Sequence, residues 1–304
     1  MRWFETPNFN FINKRKIAYI ISGTLLAASL IAILVKGLEY GIDFKGGKEF
    51  VLEFEQPADV TEIRSALSGP LDGTPEVKLF GSPSDILIRT DATGDINTVQ
   101  NAITSTVQQL YPNNKATVIK TDVVGPRFAE DLKQGAINAI IFAMVIIFIY
   151  IFIRFKNWTF SLGAVAALFH DVIIVLGIFT IFNDIAPFSM QIDQTIIAAF
   201  LTIVGYSLND TVVVYDRVRE NMLDHKTMDF LKMINKSMND TLSRTVITSL
   251  TTLFVVTVLF IFGGEVLKGF SFALMLGVII GTYSSLFVAT SVVTELQLKK
   301  LENK

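Results

Sequence analysis

Apolar runs and alternating segments divide the chain into two kinds of territory. Six apolar runs lie at about 17–36, 137–154, 159–182, 195–215, 245–263 and 268–292. Most approach or exceed the ~20 residues that carry a helix across ~30 Å of hydrocarbon. Backbone groups in lipid must pair within their own segment, so each run predicts a transmembrane helix. Residues 37–135, between the first two runs, have another rhythm. "KEFVLEF" alternates like a strand, and "EVKLFG" and "SDILIRT" follow suit around Ser82-Pro83-Ser84. "DVTEIRSALSG" has helical spacing and an Asp start. "DINTVQNAITSTVQQLY" sets Ile96, Val99, Ile103 and Val107 on one helical face, and "ATVIKTDVV" reads as a last strand. The order βαββαβ is the ferredoxin-like split pattern.

The fold class predicted is a polytopic α-helical membrane protein with six transmembrane helices and one extracytoplasmic α+β ferredoxin-like domain between helices 1 and 2. Its expected divisions are 1–36 (N-terminus and first helix), 37–135 (outer domain), 136–294 (helices 2–6, with a cytoplasmic loop at about 216–243) and 295–304 (tail).

Basic residues orient the chain. Lys14, Arg15 and Lys16 precede the first run, and Arg154 and Lys156 follow the second. Arg217, Arg219, Lys226, Lys232 and Lys236 separate the fourth from the fifth, and Lys299, Lys300 and Lys304 close the chain. Six crossings put all four groups on one side, predicting cytoplasmic N- and C-termini. The opposite linkers, 183–194 and 264–267, have only Lys268 at a boundary. A cleavable signal peptide is the competing reading of the first run. The run is long and no A-x-A-like site follows it, which favours an uncleaved anchor.

Composition narrows the classes further. Apolar residues make up 51% of the chain, too many for an ordinary soluble domain of this length. A net charge of −2 gives no case for nucleic-acid binding. Without cysteine there is no disulfide, thiolate metal site or cysteine nucleophile. Only His170 and His225 are histidines, so no histidine-rich metal cluster is expected, and no cofactor loop stands out. No nucleophile–base pair supports an enzyme. In "GIDFKGG", Gly41, Asp43, Gly46 and Gly47 predict tight turns. The Gly-Lys-Ser/Thr ending of a phosphate loop is missing.

Ionisable residues inside the apolar runs carry the candidate chemistry. In "GYSLNDTVVVYDRVREN", Asn209, Asp210 and Thr211 precede three valines. Seven residues back from Arg217, at ~1.5 Å each, Asp210 lies ~10 Å inside the end of the fourth helix. An ionised carboxylate there costs on the order of 3 kcal/mol, so it should pair, protonate or face water. Arg244 opens the fifth run from the same side, at similar depth on a neighbouring antiparallel helix. Such an arginine favours the charged form while desolvation opposes it, which leaves a group able to change protonation. The alternative is that Arg244 snorkels and Asp210 pins helix packing. His170 and Asp171 sit near the middle of the third run. They are neighbours in sequence, diverge by ~100° on a helix and need not act on one another. They are read as a proton path or as an interhelical hydrogen-bond cluster. Gly269, Ala273, Gly277, Gly281, Ser285 and Ala289 recur every four residues, and Gly135, Ala139 and Ala143 begin a similar stripe. Small residues in this spacing let another helix approach closely.

"GIDFKGG", "VGPRFAEDLKQGA" (124–136), "FHDV", "GYSLNDTVVVYDRVREN" and "LSRTVITSLTTL" together resemble the SecF family. This is the smaller-subunit family of the bacterial SecD–SecF protein-export complex, in the RND superfamily. The likeness runs nearly the whole chain, with the motifs in family order. It implies an inner-membrane protein that pairs with SecD and acts after the SecYEG channel and the SecA motor. It also implies that the translocating secretory polypeptide is drawn across the membrane at the expense of the proton-motive force. By the same likeness, Asp210 matches the carboxylate linked to protons and Arg244 its partner, while His170-Asp171 marks a motif of less defined chemistry. No SecD-like domain precedes residue 37, which implies a separate SecF chain rather than a fusion. A small-molecule or lipid exporter of the superfamily and a non-transporting membrane scaffold are the competing classes. The first asks for a larger outer domain, the second for purely packing roles at Asp210 and Arg244.

Overall fold

The computed structural model of the chain describes residues 7–302, apart from 74, 184, 187 and 226. Lys226 and Lys304, counted above among the orienting charges, lie outside the described residues. Six helices among the described residues are long and apolar enough to span a membrane. The first is α1 (Phe11–Lys36). A one-turn helix α2 (Ile42–Lys45) leads into the sheet domain: β1 (Gly47–Phe54), α3 (Val60–Leu67), β2 (Glu76–Phe80), β3 (Ser82–Thr90), α4 (Ile96–Leu110) and β4 (Ala116–Val124). The bundle then continues through α5 (Pro126–Phe155), α6 (Trp158–Phe182), α7 (Gln194–Asp224) and α8 (Phe230–Phe262). The last crossing is α9 (Glu265–Ser284), a π-helical turn at Ser285–Ala289 and α10 (Thr290–Glu302).

The helices overrun the apolar runs. α5 starts at Pro126, α7 continues to Asp224 and α8 begins at Phe230. Hydropathy reports where lipid contact is favourable, whereas helix propensity and caps decide where the helix ends. Pro126 follows Gly125 at the first helical position, where its missing N–H costs nothing. Asp229 starts α8 by accepting from Lys232 N at 3.1 Å.

The sheet has the strand order β2-β3-β1-β4, with every neighbouring pair antiparallel. Alternation in β1 sends Phe50, Leu52 and Phe54 to one face. There they meet Ile86 and Ile88 of β3, Ile63 and Leu67 of α3, and Val99, Ile103 and Val107 of α4. Asp59 caps α3 by accepting from Thr61 N at 2.7 Å and Glu62 N at 3.1 Å, and Asp95 caps α4 through Asn97 N at 3.1 Å. The opposite face carries Glu49, Arg89, Lys120 and Asp122, and looks onto the bundle across a cleft of about 310 Å³.

The glycine-rich stretch is the joint between these parts. Gly41 N donates to Ile192 O at 2.9 Å, and Ile192 N donates to Glu39 O at 2.8 Å, so the exit of α1 is stitched to the entry of α7. Asp43 Oδ2 accepts from Gln194 N at 3.0 Å, beside the N-cap Asp193, which places two carboxylates at the N-terminus of α7. Gly46 and Gly47 have φ of +75° and +125°. A Cβ on Gly46 would lie 3.1 Å from Pro126 Cα, and one on Gly47 3.0 Å from Thr90 O. The turn needs glycine for both conformation and room.

Charged contacts collect at the other end of the bundle. Arg15 pairs with Glu295 at 3.1 Å, Arg154 with Asp216 at 2.8 Å and Arg217 with Asp240 at 2.8 Å. Asn235 and Asn239, one turn apart on α8, hold the backbone N–H and C=O of Phe9. Basic groups from the start of α1, the end of α5 and the α7–α8 connection therefore share one end.

Candidate functional site

The core of the bundle is polar in one place. α6, α7, α8 and α9 meet there, and their apolar sequences carry serines and threonines that turn inward. Asp171 is 0% exposed. It accepts from Ser207 Oγ of α7 at 2.7 Å and Ser284 Oγ of α9 at 2.8 Å. Its other oxygen lies 2.9 Å from His170 Nδ1, so these sequence neighbours do act on one another. The ~100° between their Cα–Cβ directions is bridged because both side chains are long enough to turn back over the same face. His170 Nε2 lies 3.1 Å from Ser22 Oγ of α1, and Ser22 Oγ lies 3.1 Å from Tyr283 Oη. Tyr283 stacks near the imidazole, with ring centres 6.2 Å apart, and its hydroxyl donates to Ala18 O at 3.0 Å.

Asp210 is one turn from Ser207 on α7 and is 3% exposed. Its carboxylate accepts from Ser249 Oγ at a long 3.4 Å, and Ser249 also bonds Thr282 Oγ1 at 2.6 Å. Arg244 is not its ion-pair partner here. Arg244 is exposed and makes no ion pair among the described residues. Helix geometry explains the difference: Ser249 is five residues further along α8, ~7.5 Å deeper and ~140° around the axis. With Ser249 bonded to Asp210, the Arg244 guanidinium stops short of ion-pair distance. It lines a groove of about 520 Å³ with Asn209, Asp216, Arg217, Glu220 and Asp240. Asn209 is therefore on the groove side, exposed, while Thr211 is buried and bonded to Ser285 Oγ at 2.9 Å.

The glycine stripe of α9 is what brings these groups together. A Cβ on Gly277 would overlap Ile203 of α7, and one on Gly281 would sit 2.9 Å from Ser207 Cβ. Gly269 approaches Ser189 O, and Ala273 is fully buried. The stripe thus packs against α7 of the same chain. The second stripe faces outward, with Gly135 touching nothing within 4 Å.

The π turn adds to the arrangement. Ser285 Oγ donates to Ser207 O at 3.2 Å and Gly281 O at 2.8 Å, while Thr290 Oγ1 takes up Ser285 O at 2.9 Å. Insertions of this kind mark functional sites in many helices. Sequence reading missed Ser22, Ser207, Ser249, Thr282, Tyr283 and Ser284. The available signal was the density of hydroxyls in "GTYSS" (281–285), where only Gly281 and Ser285 were noticed, as small residues.

Buried carboxylates set among hydroxyls, in a helical bundle joined to a small antiparallel sheet domain, define a multi-pass membrane protein with a polar core. Residues 102–299 match the family described as protein export membrane protein SecD/SecF, C-terminal, and residues 31–58 match the SecD/SecF GG motif. The chain belongs to the SecF family of protein-export membrane proteins. The protein translocase subunit SecF of Rhodothermus marinus is 58% identical over 299 residues, covering 98% of this chain and 96% of the relative. The subunit of the same name from Haemophilus influenzae is 40% identical, covering 97% and 88%. The crystal structure of SecDF, a translocon-associated membrane protein from Thermus, superposes with a TM-score of 0.85 at 33% identity. The match takes in 97% of this chain but 39% of that longer one. A SecDF structure in a super-membrane-facing form gives a TM-score of 0.72 at 31% identity, with 99% and 40% covered.

Proposed function

We propose that this subunit works with a SecD partner in the bacterial inner membrane. Both termini are cytoplasmic, and the chain couples proton entry to late steps of secretory-polypeptide translocation through SecYEG and SecA. The outer domain, about residues 37–135, is assigned to the ferredoxin-like class; its strand order and two one-sided helices support that assignment.

Asp210 is the proton-coupling group. The observation that carries this reading is its placement: a buried carboxylate with one long hydroxyl contact, next in sequence to a residue lining the Arg244 groove. A charged group so placed is under-solvated, so protonation and movement toward Arg244 are alternative ways to relieve it. One state keeps Asp210 neutral against Ser249. The other, reached when α8 turns or slides, pairs the ionised carboxylate with Arg244. A charge moved through 100 mV is worth ~2.3 kcal/mol, enough to bias such a two-state element.

The test is translocation of a secretory protein into inverted vesicles, with and without a proton gradient, at matched subunit levels. Asp210→Asn should assemble yet lose the gradient-dependent gain, and Arg244→Met should fail likewise. Full retention of the gain by Asp210→Asn would make Asp210 a packing residue.

A further inference from the structure

Coupling through Asp210 leaves a second buried carboxylate without a task. Asp171 lies mid-way along α6 and holds only hydroxyl and imidazole partners. No Lys or Arg among the described residues contacts it. The titratable groups around it are His170 beside it, Tyr283 from α9, Tyr19 on the adjoining groove and Asp210 one turn along α7. Among the described residues, no side chain of α5 or α10 makes a hydrogen bond or ion pair with it.

Contacts lead away from Asp171 in two directions. Outward, His170 reaches Ser22, and both line a groove of about 500 Å³ between α1, α6 and the π turn. Inward, Ser207 is three residues before Asp210, ~4.5 Å along the same side of α7. Ser249 of α8, which bonds Asp210, is itself bonded to Thr282 of α9, two residues before the Ser284 that bonds Asp171. This turn thus sets one hydroxyl on Asp171 and another on the serine that bonds Asp210.

We propose that Asp171 and His170 form a second proton-binding site, in series with Asp210 and reached by way of Ser22. This rests on the proton-coupling reading of Asp210. In the loading step a proton arrives at His170 Nε2 while the proton on Nδ1 passes to Asp171 Oδ1. The imidazole stays neutral with its tautomer reversed, and the carboxylate becomes a carboxylic acid. Ser207 and Ser284 hold Asp171 in place in both states, donating to the same oxygen, Oδ2, while Oδ1 takes the proton.

The full chain with its SecD partner, in liposomes, is titrated across about pH 5 to 9 while the protonated-carboxyl C=O stretch is followed by infrared difference spectroscopy. Two buried carboxyl bands are expected. Asp171→Asn removes one and leaves the other, and Asp210→Asn does the converse. Ser284→Ala shifts the Asp171 band alone, which identifies it even if Asp171→Asn fails to assemble. Gradient-driven proton flux should fall by about 10²-fold in Asp171→Asn, the scale of losing a positioned proton-transfer group, and recover in Asp171→Glu. A spectrum in which neither Asp171→Asn nor Ser284→Ala changes any titrating band overturns the proposal, as does wild-type flux in Asp171→Asn. If Asp210→Asn keeps its full export gain while the Asp171 band still titrates, the Asp210 reading fails and the second site stands.

Discussion

Glu49 in the sheet domain and Asp171 in the bundle are both almost fully buried carboxylates, and their surroundings are opposite. Glu49, 4% exposed, takes Arg89 Nε at 2.6 Å on one oxygen and Lys120 Nζ at 2.9 Å on the other. Lys120 in turn holds Asp122 at 2.7 Å. Asp171 has serines and an imidazole instead. The two cations tie Glu49 into the frame of the sheet. Neutral donors tolerate either state, because a hydroxyl that donates to a carboxylate can equally accept from a carboxylic acid. The sheet domain pairs its buried carboxylate with cations of its own strands, while the bundle surrounds its carboxylates with hydroxyls and an imidazole.

The largest effect should come from breaking the first arrangement. Glu49→Gln leaves Arg89, 14% exposed, without its 2.6 Å carboxylate partner and should lower stability by about 3 kcal/mol. Asp171→Asn, with no cation to strand, should cost only about 1 kcal/mol for an imperfect hydrogen bond. Thermal unfolding of both variants in the same detergent compares them directly. Equal losses would erase the distinction. Next in size, Gly277→Leu drives a branched side chain into Ile203, forcing α9 from α7. Overpacking of this kind costs about 2 kcal/mol. Recovery of the SecD partner in a mild-detergent pull-down should be unaffected, because the seam lies within the chain.

The smallest effect is a pH dependence in the sheet domain. Burial alone would raise Glu76, but the hydrogen bond from Lys78 and the charges of Lys78 and Arg89 outweigh it and hold the carboxyl below its usual range. A folded value below the unfolded one contributes stability above the ordinary ~4.3, lost as pH falls through the lower folded value. Acid should therefore loosen this domain first, and Glu76→Gln should flatten that part of the curve. Amide hydrogen exchange in β2 and β3, at neutral pH and at about pH 3, reads it out. Exchange that is equally slow at both values would show that the pairs around Glu76 do not govern this face.

Residue patterns located six helices and every strand, because apolar run length and period-2 alternation follow directly from lipid thickness and sheet pleat. The Asp59 start of α3 was legible for the same local reason. Asp210, Asp171 and His170 stood out as polar residues in apolar runs. Their partners did not, since Ser249, Ser284 and Ser22 reach them from 39, 113 and 148 residues away in sequence. The expected Asp210–Arg244 pair rested on depth alone. Depth follows from counting residues, but facing depends on how each helix is rotated about its axis.

Sequence by itself determined the six long apolar helices, the clustering of basic residues, the α+β pattern of the sheet domain and the family. All of these are written in composition and near-neighbour spacing. Tertiary structure decided which hydroxyls surround each carboxylate, that Arg244 faces a groove, and that the α9 glycines clasp α7. Those contacts depend on the rotation and approach of whole helices. Those are set jointly by small-residue seams, a π turn and the glycine joint at residues 41–47, so no single segment encodes them.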